Sequence, residues 1–124
     1  MMNYYHNTEG FTLIELLVVM SIVAVLTSIA VPQFKSYREK SYDTRARSDL
    51  RSVAIAEEAY FLESEKYLSC SNRECENLPG IAGLSEGVTL QITVTDIDFT
   101  GTSSHSRGSG RVFRWDSARG GMQN

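Results

Sequence analysis

One carboxylate, Glu15, stands inside an apolar run that extends from Phe11 to Val31 and meets Pro32. The run is 21 residues long, and about 20 helical residues cross the hydrocarbon core of a bilayer. An acidic side chain at such a depth costs roughly 3 kcal/mol on the lenient insertion scale, so an intramembrane Glu marks function before structure. Spacing names a partner. A cut between Gly10 and Phe11 would give Phe11 a new ammonium group, four residues from Glu15 and on the same face of a helix. Glu15 would also lie in the first helical turn, where the macrodipole favours negative charge.

The residues that carry this chemistry, Gly10-Phe11-Thr12-Leu13-Ile14-Glu15-Leu16-Leu17, resemble the class III signal of type IV pilins and pseudopilins. The resemblance is strong from Gly10 to about Tyr67 and weaker beyond. It implies that a prepilin peptidase cuts between Gly10 and Phe11, that Phe11 is then N-methylated, and that Glu15 is the assembly carboxylate. Pro32 matches the mid-helix proline of that family. An ordinary secretory signal has a shorter apolar region and a small-residue cleavage site after it. Neither is present, and a plain anchor gives no reason for Glu15.

Charge is distributed against expectation in one place. Residues 1–10 include His6 and Glu9 but no Lys or Arg, whereas Lys35, Arg38 and Lys40 follow the apolar run. Taken alone, the positive-inside rule would hold the C-terminal body in the cytoplasm; the pilin resemblance implies that it faces outward. The whole chain has 124 residues and a formal charge of -3. That allows one domain and gives no global attraction to nucleic acid. Removal of a leader 1–10 would leave 114 residues at -2, since Glu9 is its only charged side chain.

Cys70 and Cys75 are the only cysteines. In a segment beyond a membrane, such a pair reads as a disulfide, and closing so short a loop contributes about 2 kcal/mol in the chain-entropy model. A structural zinc site needs four ligands, and no His lies near; a pair of reduced thiols is the remaining alternative.

The elements that position these groups follow from periodicity. A helix is expected from Phe11 to about Lys66, kinked where Pro32 removes the bond to the Ser28 carbonyl. Ala46, Leu50, Val53, Ala54 and Phe61 recur at helical spacing, as do Ile55, Ala59 and Leu62. Residues 69–86 are rich in turn signals, including Leu78-Pro79-Gly80. Val88, Leu90, Ile92 and Val94 then alternate with Thr89, Gln91, Thr93 and Thr95, as in a half-buried strand. Further strands are expected at 97–103 and 112–115, with a flexible tail at 117–124. The expected fold is α+β: a long kinked helix with a small C-terminal antiparallel sheet on its distal half. Its divisions are a removed leader 1–10, a transmembrane and assembly helix 11–32, and a soluble head 33–124. Within the head these are helix 33–66, disulfide loop 69–86 and sheet 87–116.

Enzyme chemistry finds no support. His105 would be the only histidine of a processed chain, in a Ser/Gly-rich stretch that reads as a loop, and Ser beside His in sequence is not a triad. Asp96 and Asp98 fall short of the six to eight oxygens that calcium takes, so neither a metal nor a cofactor is expected. The dispersed aromatics Phe34, Tyr37, Tyr42, Tyr60, Phe61 and Tyr67 read as packing groups.

The resemblance implies a structural subunit of a type IV pilus that polymerises with copies of itself, for adhesion or twitching motility. Its other partners would be the peptidase and an assembly platform in the bacterial inner membrane, where the prepilin resides before reaching the cell surface. A type II secretion pseudopilin, or a minor pilin that binds DNA or surfaces, shares the same motifs. Arg107, Arg111, Arg114 and Arg119 near the C-terminus, against the earlier Glu57, Glu58, Glu63, Glu65, Glu74, Glu76 and Glu86, read either as complementary patches on adjacent subunits or as solvated faces.

Overall fold

A computed structural model describes residues 1–2 and 8–123; His6 lies outside the described residues. The chain forms two compact units, Met1–Lys35 and Ser36–Asn124. Helix α1 (Leu13–Ser64) is followed by β1 (Cys70–Ser71), a 3-10 helix (Asn72–Asn77), β2 (Val88–Val94), β3 (Phe99–His105), β4 (Phe113–Asp116) and β5 (Gly121–Gln123). The five strands pair in chain order as an antiparallel meander. The fold class is therefore α+β, as the sequence indicates.

In the first unit the helix is apolar all round. Its hydroxyl groups do not need an external partner: Ser21 donates to the Val18 carbonyl at 2.7 Å, Thr27 to Val23 at 2.9 Å and Ser28 to Val25 at 2.6 Å. Back-bonding of this kind is what lets Ser and Thr occupy an apolar helix. Pro32 lies inside the helix, where it has no N–H to give to Ser28.

In the second unit only one face of α1 is covered. Ala46, Leu50, Val53 and Ala54 are fully buried, and the last three pack with Leu90 and Ile92 of β2 and Phe99 of β3. β3 alternates strictly, with Phe99, Gly101, Ser103 and His105 buried. Gly101 sits opposite Ile92 and Trp115 in the sheet. A Cβ there would lie 2.8 Å from both Leu50 Cδ1 and Ile92 Cδ1, so the absent side chain is what lets the sheet approach the helix. Two positions on, the Ser103 hydroxyl donates to the Ala46 carbonyl at 2.7 Å. The other apolar series behaves differently: Ile55 is 59% and Leu62 84% exposed.

Three carboxylates of the distal helix are structural, among them Glu57, which the sequence places with the charged surface. Asp43 is buried and accepts bonds from the Ser109 amide and hydroxyl, tying the β3–β4 turn to the helix. Asp49 accepts from the Ser85 amide at 2.8 Å. Glu57 is fully buried, with Oε2 accepting the Leu68 N–H at 2.9 Å and Oε1 unpartnered. Periodicity explains the error, since 43, 46, 50, 53 and 57 share one helix face, and the chain returning after the helix brings its donors there.

The expected loop 69–86 contains more order than turn signals disclose. Cys70 and Ser71 pair with Ile92 and Gln91, and Cys70 is bonded to Cys75, which removes the free-thiol alternative. Ser71 and Glu74 begin the 3-10 helix with a reciprocal capping box. The flexible tail is a correction. Residues 121–123 form β5 against β4, with Met122 opposite Trp115. Gly120 and Gly121, read from sequence as flexibility, adopt φ of 82° and 122° and turn the chain back; glycine takes such angles at little steric cost.

Replacing both Cys70 and Cys75 by Ser should lower head stability by about 2 kcal/mol, measured by denaturing the full chain in detergent and following Trp115 fluorescence. Burial pushes the Glu57 carboxyl above its ordinary range. The native state then holds that proton more tightly than the unfolded state, so its stabilisation is present below the unfolded pKa and lost as pH rises through the raised value. Glu57→Gln should therefore flatten the decline in denaturation midpoint as pH rises above the ordinary carboxylate range.

Candidate assembly site

The amino-terminal site is built by four residues ahead of and within the first turn of α1. Gly10 and Phe11 are exposed and outside the helix, and among the described residues nothing lies within 4 Å of a Cβ placed on Gly10. The peptide bond between them is thus open. Thr12 is the N-cap: its hydroxyl accepts the Glu15 N–H at 3.2 Å, and Glu15 Oε2 accepts the Thr12 N–H at 2.8 Å. This is a capping box, T-x-x-E, satisfying two of the amides that a helix start leaves bare. The signal was present in the sequence and was missed, because Glu15 was weighed as an intramembrane charge, a partner for the Phe11 ammonium and a first-turn carboxylate, but not as a cap. Helix α1 starts at Leu13, with Phe11 two residues ahead of it in the uncut chain. Beyond the cap, every large apolar side chain from Phe11 to Val31 is at least 48% exposed. The helix has a mean hydropathy of 2.5 over its most apolar 18-residue window, enough for a membrane span.

A second constellation occupies the head. His105 ends β3 rather than lying in a loop; its ring stacks on Tyr42 at 4.5 Å between centroids. Alternation alone would have read Thr102-Ser103-Ser104-His105 as polar on both faces. Only the helix carbonyl that receives Ser103 and the ring that receives His105 make its inner face buriable. Arg45 and Arg107 lie over Tyr42, at 5.4 and 6.0 Å from the ring centroid. Hydrogen bonding from Arg38, then from Arg107, holds the Tyr42 phenol down to about 8. The remaining C-terminal arginines are elsewhere: Arg111 lies over Phe113 at 5.7 Å, and Arg119 pairs with Asp116 at 3.4 Å.

Comparison with known proteins gives these features a context. Residues 5–31 match the family described as the prokaryotic N-terminal methylation motif. Over 112 residues the chain is 32% identical to a fimbrial protein of Pseudomonas aeruginosa, covering 82% of this chain and 71% of that one. The chain belongs to the type IV pilin family. Other relatives match about half of this pilin. It is 35% identical over 66 residues to the type IV major pilin protein PilA of Myxococcus xanthus, covering 53% of this chain and 30% of that protein's length. It is 35% identical over 63 residues to the type IV wide pilus major component PilA4 of Thermus thermophilus, covering 51% of this chain and 48% of that one. No solved structure matches. The role of this pilin is structural, as a subunit of a pilus.

In a spectrophotometric titration of this pilin in detergent, one tyrosine should ionise near pH 8. Tyr42→Phe should abolish that step, and Arg107→Gln should move it upward.

Proposed function

We propose that this pilin is cut between Gly10 and Phe11 by a prepilin peptidase, methylated at Phe11, and assembled from the inner membrane into an extracellular filament of identical copies that serves adhesion or motility. The observation that carries this reading is the pairing of a self-capped carboxylate, Glu15, with a helix exposed on all sides. Such a surface needs lipid or other helices around it.

Transfer from lipid to a filament core exchanges one apolar surrounding for another, so packing and polar contacts decide it. Glu15 uses Oε2 for the Thr12 amide. Its other oxygen is left to receive the Phe11 ammonium of a neighbouring copy. Pairing neutralises two charges that would each be costly in an apolar core and fixes the axial register of the two chains. Pro32 contributes a point in the helix where one backbone bond is missing, which lowers the cost of local bending when copies pack.

The capping box decides which variant is informative. Glu15→Ala would remove both the cap and the charge, whereas Glu15→Gln keeps an acceptor for the Thr12 amide. Glu15→Gln should insert in the membrane and lose its leader, yet leave the Phe11 ammonium unpaired and reduce sheared filament by a factor of about 100 or more. Mass spectrometry of the sheared wild-type fraction should show a chain beginning at methylated Phe11. Normal filament from Glu15→Gln, or an intact leader in wild-type filaments, would refute the assignment.

A further inference from the structure

The Tyr42 constellation borders a cleft of about 220 Å³ in the head, lined by Arg45, Glu86, Ser106 and Arg107 with the rings of Tyr42 and His105. The Arg107 amide donates to His105 Nδ1 at 3.0 Å, so the neutral ring carries its proton on Nε2. That nitrogen is shielded from solvent and has no partner among the described residues, and Gly87 packs close over the ring, where a Cβ would lie 2.8 Å from His105 Cε1 and 3.1 Å from Nε2. The groups that can meet an incoming acceptor are the exposed guanidinium groups of Arg45 and Arg107. Arg45 and Arg107 together outweigh Glu86, giving the cleft a positive balance.

At the other end of the same helix segment the balance is reversed. Glu63 and Glu65 are exposed and make no side-chain hydrogen bond or ion pair among the described residues. The neighbouring acids are occupied: Glu57 is buried, Glu58 accepts the Tyr67 hydroxyl at 3.2 Å, Glu74 caps Ser71, and Glu76 accepts the Leu84 amide. At 1.5 Å per residue, Glu63 lies roughly 30 Å along the helix from Tyr42. One head therefore presents a basic cleft and a carboxylate pair on separate surfaces, too far apart to meet within the chain.

We propose that the cleft bordered by Arg45 and Arg107 receives Glu63 and Glu65 from a second copy of this pilin, in a head-to-tail contact that repeats along the filament. Two different surfaces on one subunit make a heterologous contact, the kind that propagates without closing. Complementary charge sets orientation and register between such surfaces. The inference rests on the filament reading but concerns the heads rather than the Phe11–Glu15 contact.

Charge exchange tests it in cells that assemble the full chain, with sheared filament as the readout and formation of the Cys70–Cys75 bond as the check on folding. Arg107→Glu alone, and Glu63→Arg with Glu65→Arg, should each lower filament yield by about tenfold or more through like-charge contact. Combining all three should restore most of the yield, which a merely misfolded head would not do. Unchanged yield in the partial variants, or no recovery in the combination, overturns the inference while wild-type filaments and the Glu15→Gln defect leave the filament reading standing. If Arg107→Glu filaments form normally but no longer retain added DNA, the cleft serves a nucleic acid and the contact between copies is likewise refuted. A wild-type chain that never enters the sheared fraction removes both readings.

Discussion

The backbone and side chains of α1 must satisfy themselves over the length that lipid would cover, because hydrocarbon offers no hydrogen bonds. The molecule meets this constraint at the start of the helix and along it. Thr12 and Glu15 cap one another, and the hydroxyls of Ser21, Thr27 and Ser28 turn back onto carbonyls of the preceding turn. Two acceptors remain in the apolar segment: the Glu15 oxygen that does not serve Thr12, and the Ser28 carbonyl that Pro32 leaves without an N–H.

The head answers a different problem. It is small, and one helix face against a five-stranded meander buries few large side chains. Its closeness depends on an omission, the missing side chain of Gly101 between Leu50 and Ile92, and on polar anchors placed around the apolar centre. Asp43, Asp49 and Glu57 each fasten a loop to the helix. The disulfide holds the first strand to the 3-10 helix behind it. Acidic residues in this head therefore divide into those spent on the fold and those left facing outward, a division that net charge conceals.

The same division applies to the cations. Four arginines crowd the last quarter of the sequence, yet Arg119 is paired within its own hairpin and Arg111 covers Phe113. Arg107 instead joins Arg45 of the helix across Tyr42, and the strained donor economy of His105 makes that corner the polar focus of the head. A tyrosine between guanidinium groups also makes the cleft charge sensitive to mildly alkaline pH, since ionised phenol would offset one arginine.

Much of this protein was readable in sequence because the signals are local. The apolar run, the Gly10-Phe11 junction, Glu15, the paired cysteines and the alternation of β2 each need only a few adjacent residues. So does the capping box, which was overlooked although T-x-x-E stood in plain view. Tertiary structure alone decided the rest. Glu57 and Asp43 became buried because donors from distant turns arrived at the helix face; Gly120 and Gly121 became a hairpin because Trp115 gave Met122 a surface to cover. Tyr42 and His105, far apart in the chain, became neighbours only when β3 lay against α1. Local chemistry is fixed by covalent neighbours, whereas burial and pairing are fixed by which remote segments share a face.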